Sequence, residues 1–190
     1  MIRFRARGLA AAAAAVVMMS AALFSCRKES EKSLYAAQEK NIENVINSVL
    51  SQNPDFTVVN KDYCRKVILA NGEGDGLTEG RKLVYRYIGY VVNGGSLSAQ
   101  NFFYTNIPEI AAQYGWAVSD SAAVFRPDTL AFDKSKLIKG LADGLEGIKE
   151  GEQCLILFTG EYGYGSRKNG QIPANSALAY QFTAEKIINE

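Results

Sequence analysis

One stretch of this sequence combines tyrosines, whose hydroxyls can form hydrogen bonds, with an Ile-Pro dipeptide, and it is the best candidate for a functional site. The stretch "EYGYGSRKNGQIPANSALAYQF", residues 161 to 182, sets Tyr162 and Tyr164 among glycines and ends with a second apolar run. The chain has no histidine. This excludes Ser-His and Cys-His catalytic pairs, imidazole metal sites and the usual side chain for proton transfer near neutral pH. Any catalysis must therefore proceed without these groups. Taken alone, the stretch could also be a simple edge hairpin with a glycine-rich tip.

Two cysteines beyond the N-terminal segment are the other reactive candidates. Cys64 precedes the strand-like "KVILA", and Cys154 begins the strand-like "CLILF". Both positions suit buried free thiols at least as well as a disulfide, and spacing alone leaves the choice open. The sequence contains no CxxC motif, so zinc or redox chemistry has no support. We therefore predict neither a metal nor a cofactor.

Composition and charge indicate one compact domain with appendages. The 190 residues are 47% hydrophobic and 22% charged, with a net charge of +1. These values are typical of a globular chain. The near balance of charge gives no basic face for nucleic acid, so no nucleic-acid partner is predicted.

The first 25 residues are predicted to be a lipoprotein signal peptide. Three arginines precede an apolar run from Leu9 to Leu23, a pattern typical of secretory signals. Leu23-Phe24-Ser25-Cys26 resembles the lipobox of bacterial lipoproteins, which implies that Cys26 is lipidated and becomes the mature N-terminus. An ordinary secretory peptide and an uncleaved anchor are the alternatives. Several acyl chains on Cys26 would anchor the protein to a bacterial membrane, on its periplasmic or outer side.

Residues 26 to 54 are predicted to form a tether and an amphipathic helix from about Glu31 to Ser51. Apolar residues recur at helical spacing, and the pattern stops at Asn53-Pro54, where proline disfavours helix in its predecessor. A strut packed on the domain is the simpler interpretation, and a dimerisation or partner helix is the alternative. The helical spacing is carried by Ile42, Val45, Ile46 and Val49.

The rest of the chain favours strands over helices. Alternating β-prone segments predict strands joined by hairpins rather than βαβ crossovers, and hence an α+β fold with a mostly antiparallel sheet. Two helices are predicted in this region, a short one in "IPEIAAQYG" and another in "KLIKGLADGLEGI". The predicted strands are "FTVVN", "CRKVILA", "RKLVYRYIGYVVN", "QCLILFTG" and "ALAYQFTAEKII".

The segment from about Val67 to Ile187 resembles the FKBP domain, the macrolide-binding peptidyl-prolyl cis-trans isomerase. The matching motifs occur in the family's order, which a chance match would not reproduce. The resemblance implies an antiparallel half-barrel wrapped around a short helix, over residues 55 to 190, with an insertion at about 94 to 127. The motifs are "GEGDG", "VYRYIG", Leu137 to Leu141, Gly147 to Gly151, Tyr162-Gly163-Tyr164-Gly165, Ile172-Pro173-Ala174 and Tyr180.

The same resemblance assigns residues to a proline-binding pocket. It implies catalytic roles for Tyr87, Phe103 and Tyr164, with Tyr164 as a hydrogen-bond donor. The pocket walls and floor are assigned to Leu137, Ile138, Leu141, Ile172 and Tyr180.

The pocket departs from the family pattern at three places. Leu141 replaces the usual tryptophan of the floor, and Tyr180 replaces a phenylalanine. The family's Phe-Asp pair can align with Leu97-Ser98 or with Phe103-Tyr104, and neither pair supplies the aspartate. We prefer Phe103-Tyr104 because it retains the aromatic residue. The resemblance thus implies a weak isomerase.

Three functions are compatible with these features. The first is an FKBP-like isomerase that folds proline-containing exported polypeptides at the cell envelope. The second is a non-catalytic FKBP-like lipoprotein that binds a peptide or a protein. A purely structural lipoprotein is the third.

Overall fold

The core of the molecule is one antiparallel sheet, seen in a computed structural model that describes residues 5–116 and 125–189, with side chains from residue 29 onward. Seven strands of the described chain form the sheet: β1 (Thr57–Asn60), β2 (Arg65–Ala70), β3 (Lys82–Val91), β4 (Phe102–Thr105), β5 (Asp128–Ala131), β6 (Gln153–Phe158) and β7 (Leu178–Ile188). The helices are α1 (Arg5–Gln52), α2 (Pro108–Gln113) and α3 (Lys139–Leu145), with short 3₁₀ turns at Ala99–Asn101, Lys134–Lys136 and Gly160–Tyr162.

The strands are arranged in the order β1-β2-β6-β7-β3-β4, and β5 also pairs with β3. Every pairing is antiparallel, which confirms the predicted α+β class. The expectation of hairpins holds only in part, because β2 pairs with β6 and β3 pairs with β7 across long stretches of sequence. Alternation of apolar residues identifies a strand and its buried face, but it does not identify the partner strand.

Alternation along the central strands gives the sheet two apolar faces. On β6, Cys154, Ile156 and Phe158 belong to one buried cluster, while Leu155 and Leu157 belong to another. Strands β3 and β7 divide their side chains between the same two clusters. The period of two in a strand places successive residues on opposite faces, so both faces need a cover.

Helix α3 covers the face that carries Phe158. A Cβ atom at Gly140 would lie 2.2 Å from the Phe158 ring, and one at Gly144 would lie 2.4 Å from Ile156. These glycines therefore allow the helix to approach the sheet closely. The helix begins only at Lys139, since Leu137 and Ile138 are extended, so it is shorter than the helical pattern of residues 136 to 148.

The C-terminal part of α1, from Gln38 to Gln52, covers the opposite face. The chain divides into two compact units, Met1–Ala37 and Gln38–Glu190, and the second includes α1 from Gln38 onward. Within it, Ile42, Val45 and Ile46 are buried in the cluster that contains Leu155 and Leu157. The sequence analysis grouped this helix with the tether in residues 26 to 54, and its simpler interpretation was a strut packed on the domain.

The first unit, Met1–Ala37, contains the N-terminal part of α1. The helix begins earlier than the predicted start at Glu31, consistent with the high helix propensity of the alanines before it. The side chain of Cys26 and those of the predicted signal peptide lie outside the described side chains. Within the described residues, no helix combines the length and apolar character needed to cross a membrane.

Cys64 and Cys154 are both free and buried. Burial raises the pKa of each thiol to about 12. Neither thiol is therefore ionised at neutral pH, and thiolate chemistry is not available to them in the folded state.

Candidate functional site

The residues that the resemblance assigned to a pocket lie together on the α3 face of the sheet. They form part of one apolar cluster, which we call the aromatic cluster. Phe103, Ile172 and Tyr180 are buried in it, and the other five are partly buried against it. The partly buried members retain solvent-accessible surface, so they are the ones that a ligand could contact. The eight residues are Tyr87, Phe103, Leu137, Ile138, Leu141, Tyr164, Ile172 and Tyr180.

Tyr180 lies at the centre of the aromatic cluster. Its ring stacks on Phe158 with centroids 5.9 Å apart, and the Phe103 ring meets it edge-on at 5.6 Å. Phe182 stacks on the other side at 6.1 Å. Such ring pairs add to the stability gained from burial alone, so the base of the site is rigid.

Tyr87 and Tyr104 form one wall of the site. Their rings are stacked at 5.6 Å, and the Tyr87 ring also stacks on Phe182 at 5.8 Å. Trp116 meets Tyr104 edge-on at 5.7 Å. Sequence reasoning gave no role to Phe158, Phe182 or Trp116, although β-prone aromatic residues in strand patterns were a signal for the first two.

The position of Phe103 follows from a bulge in the pairing of β3 with β4. Gly89 pairs with Tyr104 and Tyr90 pairs with Phe102, which leaves Phe103 as an extra residue. A bulge of this kind re-aims a side chain, and here the Phe103 ring lies against Gly89 and in the aromatic cluster. Leu97 packs instead against the cluster on the opposite face. The structure therefore places the preferred Phe103-Tyr104 pair, and not Leu97-Ser98, at the site.

Two buried polar side chains hold β3 next to the bulge. The Thr105 hydroxyl donates to the carbonyl of Tyr87 at 2.6 Å. Asn106 accepts from the Tyr87 amide at 2.8 Å and donates to the carbonyl of Tyr85 at 3.0 Å. These bonds satisfy backbone groups that the irregular strand leaves unpaired, and they set the position of the Tyr87 side chain. Sequence reasoning missed both residues, which have no distinctive motif.

The loop between β6 and β7 carries Tyr164 and Ile172. Its tip is closed by two backbone bonds between Asn169 and Ile172, and Gly170 has a φ of 55° that favours glycine. The base of the loop is joined to α1 by Gln38, which is 7% exposed. The Gln38 amide accepts from the backbone of Gly160 at 2.9 Å and donates to the carbonyl of Asn175 at 2.5 Å. One side chain thus ties both ends of the loop to the helix.

The hydroxyl groups of Tyr87 and Tyr180 are neutral hydrogen-bonding groups. Burial, followed by the neighbouring Tyr164 and a hydrogen bond with it, raises the pKa of Tyr180. Burial is also the main cause of the raised pKa of Tyr87, and the nearby Tyr85 and Tyr104 hydroxyls add to it. Phenols with raised pKa values keep their protons and can act as donors.

A carboxylate lies at the edge of the tyrosines, whereas the preferred alignment sets Tyr104 against the family's aspartate. The Tyr85 hydroxyl donates to Asp128 at 3.3 Å, and Asp128 is exposed on β5. Sequence reasoning did not bring this residue to the site, because β5 was not predicted. The described residues contain no group of three or more acidic, cysteine or histidine side chains that could hold a metal ion.

The sequence of this chain is similar to that of known proteins. Residues 113–183 match the model of the FKBP-type peptidyl-prolyl cis-trans isomerase. FK506-binding protein 1 of Aspergillus oryzae is 36% identical over 61 residues, which are 32% of this chain and 53% of that protein. FK506-binding protein 1 of Gibberella zeae is 26% identical over 124 residues, which are 64% of this chain and 96% of that protein. The chain thus spans about half the length of the Aspergillus relative.

Solved structures share the fold at low sequence identity. FkpA from Escherichia coli matches with a TM-score of 0.55 and 18% identity, over 92% of this chain and 70% of that one. The three FKBP domains of wheat FKBP73 match with a TM-score of 0.52 and 21% identity, over 71% of this chain and 51% of that one. These two likenesses concern the fold alone. The family match and the two relatives support an FKBP-type peptidyl-prolyl cis-trans isomerase domain in this chain.

Proposed function

We propose that this protein is a prolyl cis-trans isomerase of weak activity that acts on proline-containing polypeptides. The observation that carries this proposal is the assembly of all eight predicted pocket residues in one aromatic cluster, five of them only partly buried. Tyr164 is half-buried in that cluster and is the hydroxyl available to a bound chain. The family match supports the reaction class.

The geometry suits this reaction because rotation about an X-Pro bond requires neither a nucleophile nor a metal. At the twisted transition state the amide loses resonance and some polarity, so an apolar aromatic surface stabilises it relative to the planar ground state. A tyrosine donor can hold a neighbouring carbonyl in place. Lowering a barrier of ~20 kcal/mol by ~4 kcal/mol would accelerate rotation about a thousandfold.

A protease-free isomerisation assay tests this proposal. The full chain is mixed with proline peptides that vary in the residue before proline, and exchange between cis and trans forms is followed by NMR. We expect measurable acceleration for at least one peptide, with a preference for apolar preceding residues. A Tyr87→Ala variant serves as the control because it removes one wall of the site. Exchange at the uncatalysed rate for every peptide would contradict the proposal.

A non-catalytic binding module is the second candidate, and Tyr104 is the observation that favours it. Its ring occupies the position of the family's aspartate and stacks on Tyr87, so the site is more apolar than the family pattern implies. A site of this kind could hold a proline-containing chain without accelerating rotation. Binding of peptides without acceleration in the same assay would favour this second function.

We also propose that the protein acts at the bacterial cell envelope as a lipoprotein anchored through Cys26. The sequence pattern of residues 1 to 26 supports this location. Labelled palmitate should be incorporated into the parent and not into a Cys26→Ala variant, which should be released from membranes. Equal labelling of the two proteins would contradict lipidation at Cys26.

A further inference from the structure

A small cavity lies beside the aromatic cluster, between the end of β3, the turn before β4 and the tip of the Tyr164 loop. Its volume is about 230 Å³. This is below the ~300 Å³ at which pockets for drug-sized molecules begin, so it suits a short segment of chain rather than a bulky ligand. None of its lining residues is charged. An ion is therefore a poor candidate for its occupant.

Four carboxamide residues line this cavity, and we call them the amide group: Asn93, Gln100, Asn101 and Gln171. In the described part of the chain, no hydrogen-bond partner is seen for any of their side chains. They come from three separate segments, which only the fold brings together. A side-chain amide offers both donors and an acceptor, which is the complement of a peptide group. A neutral cavity with unused amides therefore matches a polypeptide backbone.

The cavity adjoins the aromatic cluster. Phe103 lines it and also meets Tyr180 edge-on at 5.6 Å. On the other side, Gln171 and Pro173 line it and flank Ile172, which is buried in the aromatic cluster. A chain whose proline lies against the aromatic cluster would therefore pass the amide group within a few residues.

We propose that the amide group is a subsite that binds the backbone of the substrate on one flank of its proline. This inference rests on the proposed function, since it extends the same site. The amides hydrogen-bond to peptide groups and not to side chains, so the subsite is tolerant of sequence. It confers selectivity for extended, unstructured polypeptide over isolated dipeptides.

Peptide length tests this subsite. A short probe, an acetylated Leu-Pro amide, is compared with probes that carry three alanines added before or after this unit, and dissociation constants are measured by calorimetry. In the parent, one of the two extensions should tighten binding about tenfold, the gain expected from one or two additional hydrogen bonds. N-methylation of the added residues should remove most of that gain, because it removes the backbone donors.

The double variant Gln100→Ala/Gln171→Ala provides the matching protein test. Both residues are exposed, so the fold should be retained, and thermal unfolding verifies this. The variant should bind the short probe as the parent does and lose the gain from extension. Asn47→Ala/Gln52→Ala, which removes two exposed amides on α1, should keep the gain.

Two results would overturn the subsite and are distinct from failure of the proposed function. The first is short-probe binding to the parent with no gain from either extension. The second is a gain that survives in the double variant. If neither the short nor the extended probes bind the parent, the proposed function fails and the subsite fails with it.

Discussion

The neighbouring hydroxyls of Tyr164 and Tyr180 differ in their access to a bound peptide. Tyr180 is 5% exposed and surrounded by rings, whereas Tyr164 is half-buried on the loop. A phenol can donate one hydrogen bond and accept others. If Tyr180 donates to Tyr164, the proton of Tyr164 remains available for a substrate carbonyl. Tyr180 is in this sense a positioning residue for Tyr164.

Substitution of these two tyrosines should separate binding from stability. Tyr164→Phe removes the substrate donor and leaves the buried Tyr180 hydroxyl unpaired, so we expect about tenfold weaker peptide binding and a loss of ~1 to 3 kcal/mol in the free energy of unfolding. Tyr164→Phe/Tyr180→Phe removes both hydroxyls and should recover most of that stability without recovering binding. Calorimetry and denaturant unfolding measure the two effects.

A matched control comes from the other face of the sheet. There, Tyr90 is hydrogen-bonded to Tyr114 at 3.2 Å, away from the aromatic cluster. Tyr90→Phe should lower stability to a similar extent and leave peptide binding unchanged. Recovery of binding in the double phenylalanine variant would contradict the assigned role of Tyr164.

An acid at residue 104 should raise the rate of isomerisation. Tyr104 stacks on Tyr87, and a carboxylate there would add a charged acceptor that orients nearby hydroxyl donors. Tyr104→Asp should therefore increase kcat/KM above that of the parent, at a cost of ~1 to 3 kcal/mol for the two ring pairs lost with Tyr87 and Trp116. Tyr104→Asn has nearly the same shape without the charge, and it should give no increase. An equal increase in both variants would show that the ring limits access instead.

At the scale of elements, α1 supports the site through the loop that carries Tyr164. Gln38 binds the backbone at both ends of this loop, and removing its amide would leave the buried Gly160 amide without a partner. We expect Gln38→Ala to cost ~1 to 3 kcal/mol in the free energy of unfolding and to weaken peptide binding by loosening the loop. Faster hydrogen exchange of the Gly160 amide is the direct measurement.

The control for this prediction is Lys40→Ala, an exposed position on the same helix. It should change neither the exchange of the Gly160 amide nor the affinity for peptide. Unchanged exchange in Gln38→Ala would show that the loop is held by its own backbone bonds.

At the scale of the whole molecule, the boundary of the folding unit within α1 can be tested by truncation. Deletion of residues 1 to 37 leaves the second compact unit whole, so cooperative unfolding should be retained. Deletion of residues 1 to 54 also removes the buried Ile42, Val45 and Ile46. Each such loss costs ~2 to 5 kcal/mol, and together they approach the entire stability of an ordinary domain.

The longer truncation should therefore lack a cooperative transition in urea, followed by circular dichroism. A cooperative transition with little loss of stability would show instead that the domain begins near residue 55. In that case the helix would be a strut on an independent fold.

The buried thiols of Cys64 and Cys154 should make the stability of the whole fold depend on pH in the alkaline range. The pKa values of Cys64 and Cys154 rise from 9.0 to about 12, and burial is the first cause for both. Between these values the unfolded chain releases protons that the folded chain retains, so the free energy of unfolding falls as pH rises above 9. Each thiol contributes at most ~1.4 kcal/mol per pH unit.

Urea unfolding at pH 8 to 11 measures this slope. Cys64→Ala/Cys154→Ala should be less stable at pH 8 because of the lost packing, but its stability should fall less steeply above pH 9. Parallel slopes for parent and variant would assign the alkaline sensitivity to the buried tyrosines, whose pKa values are also raised by burial.

Local pattern in the sequence was sufficient for five of the seven described strands and for the residue types of the site, but it did not predict β4 or β5. Periods of two and of 3.6 residues identified strands and helices because they report which face of an element is buried. The ordered motifs from Tyr87 to Tyr180 were sufficient to predict the fold class. The Phe103-Tyr104 alignment was preferred because it retains an aromatic residue. The sequence could not exclude the alternative alignment with Leu97-Ser98.

Tertiary structure alone decided how these parts meet. The pairing of β3 with β7 and of β2 with β6, and the bulge that turns Phe103 into the aromatic cluster, depend on residues that are not neighbours in sequence. Such contacts depend on the packing of the whole sheet, which no short window of sequence encodes. The same reason explains why Gln38, Asp128 and the amide group were not predicted: each residue is ordinary locally and acquires a role only from neighbours that the fold supplies.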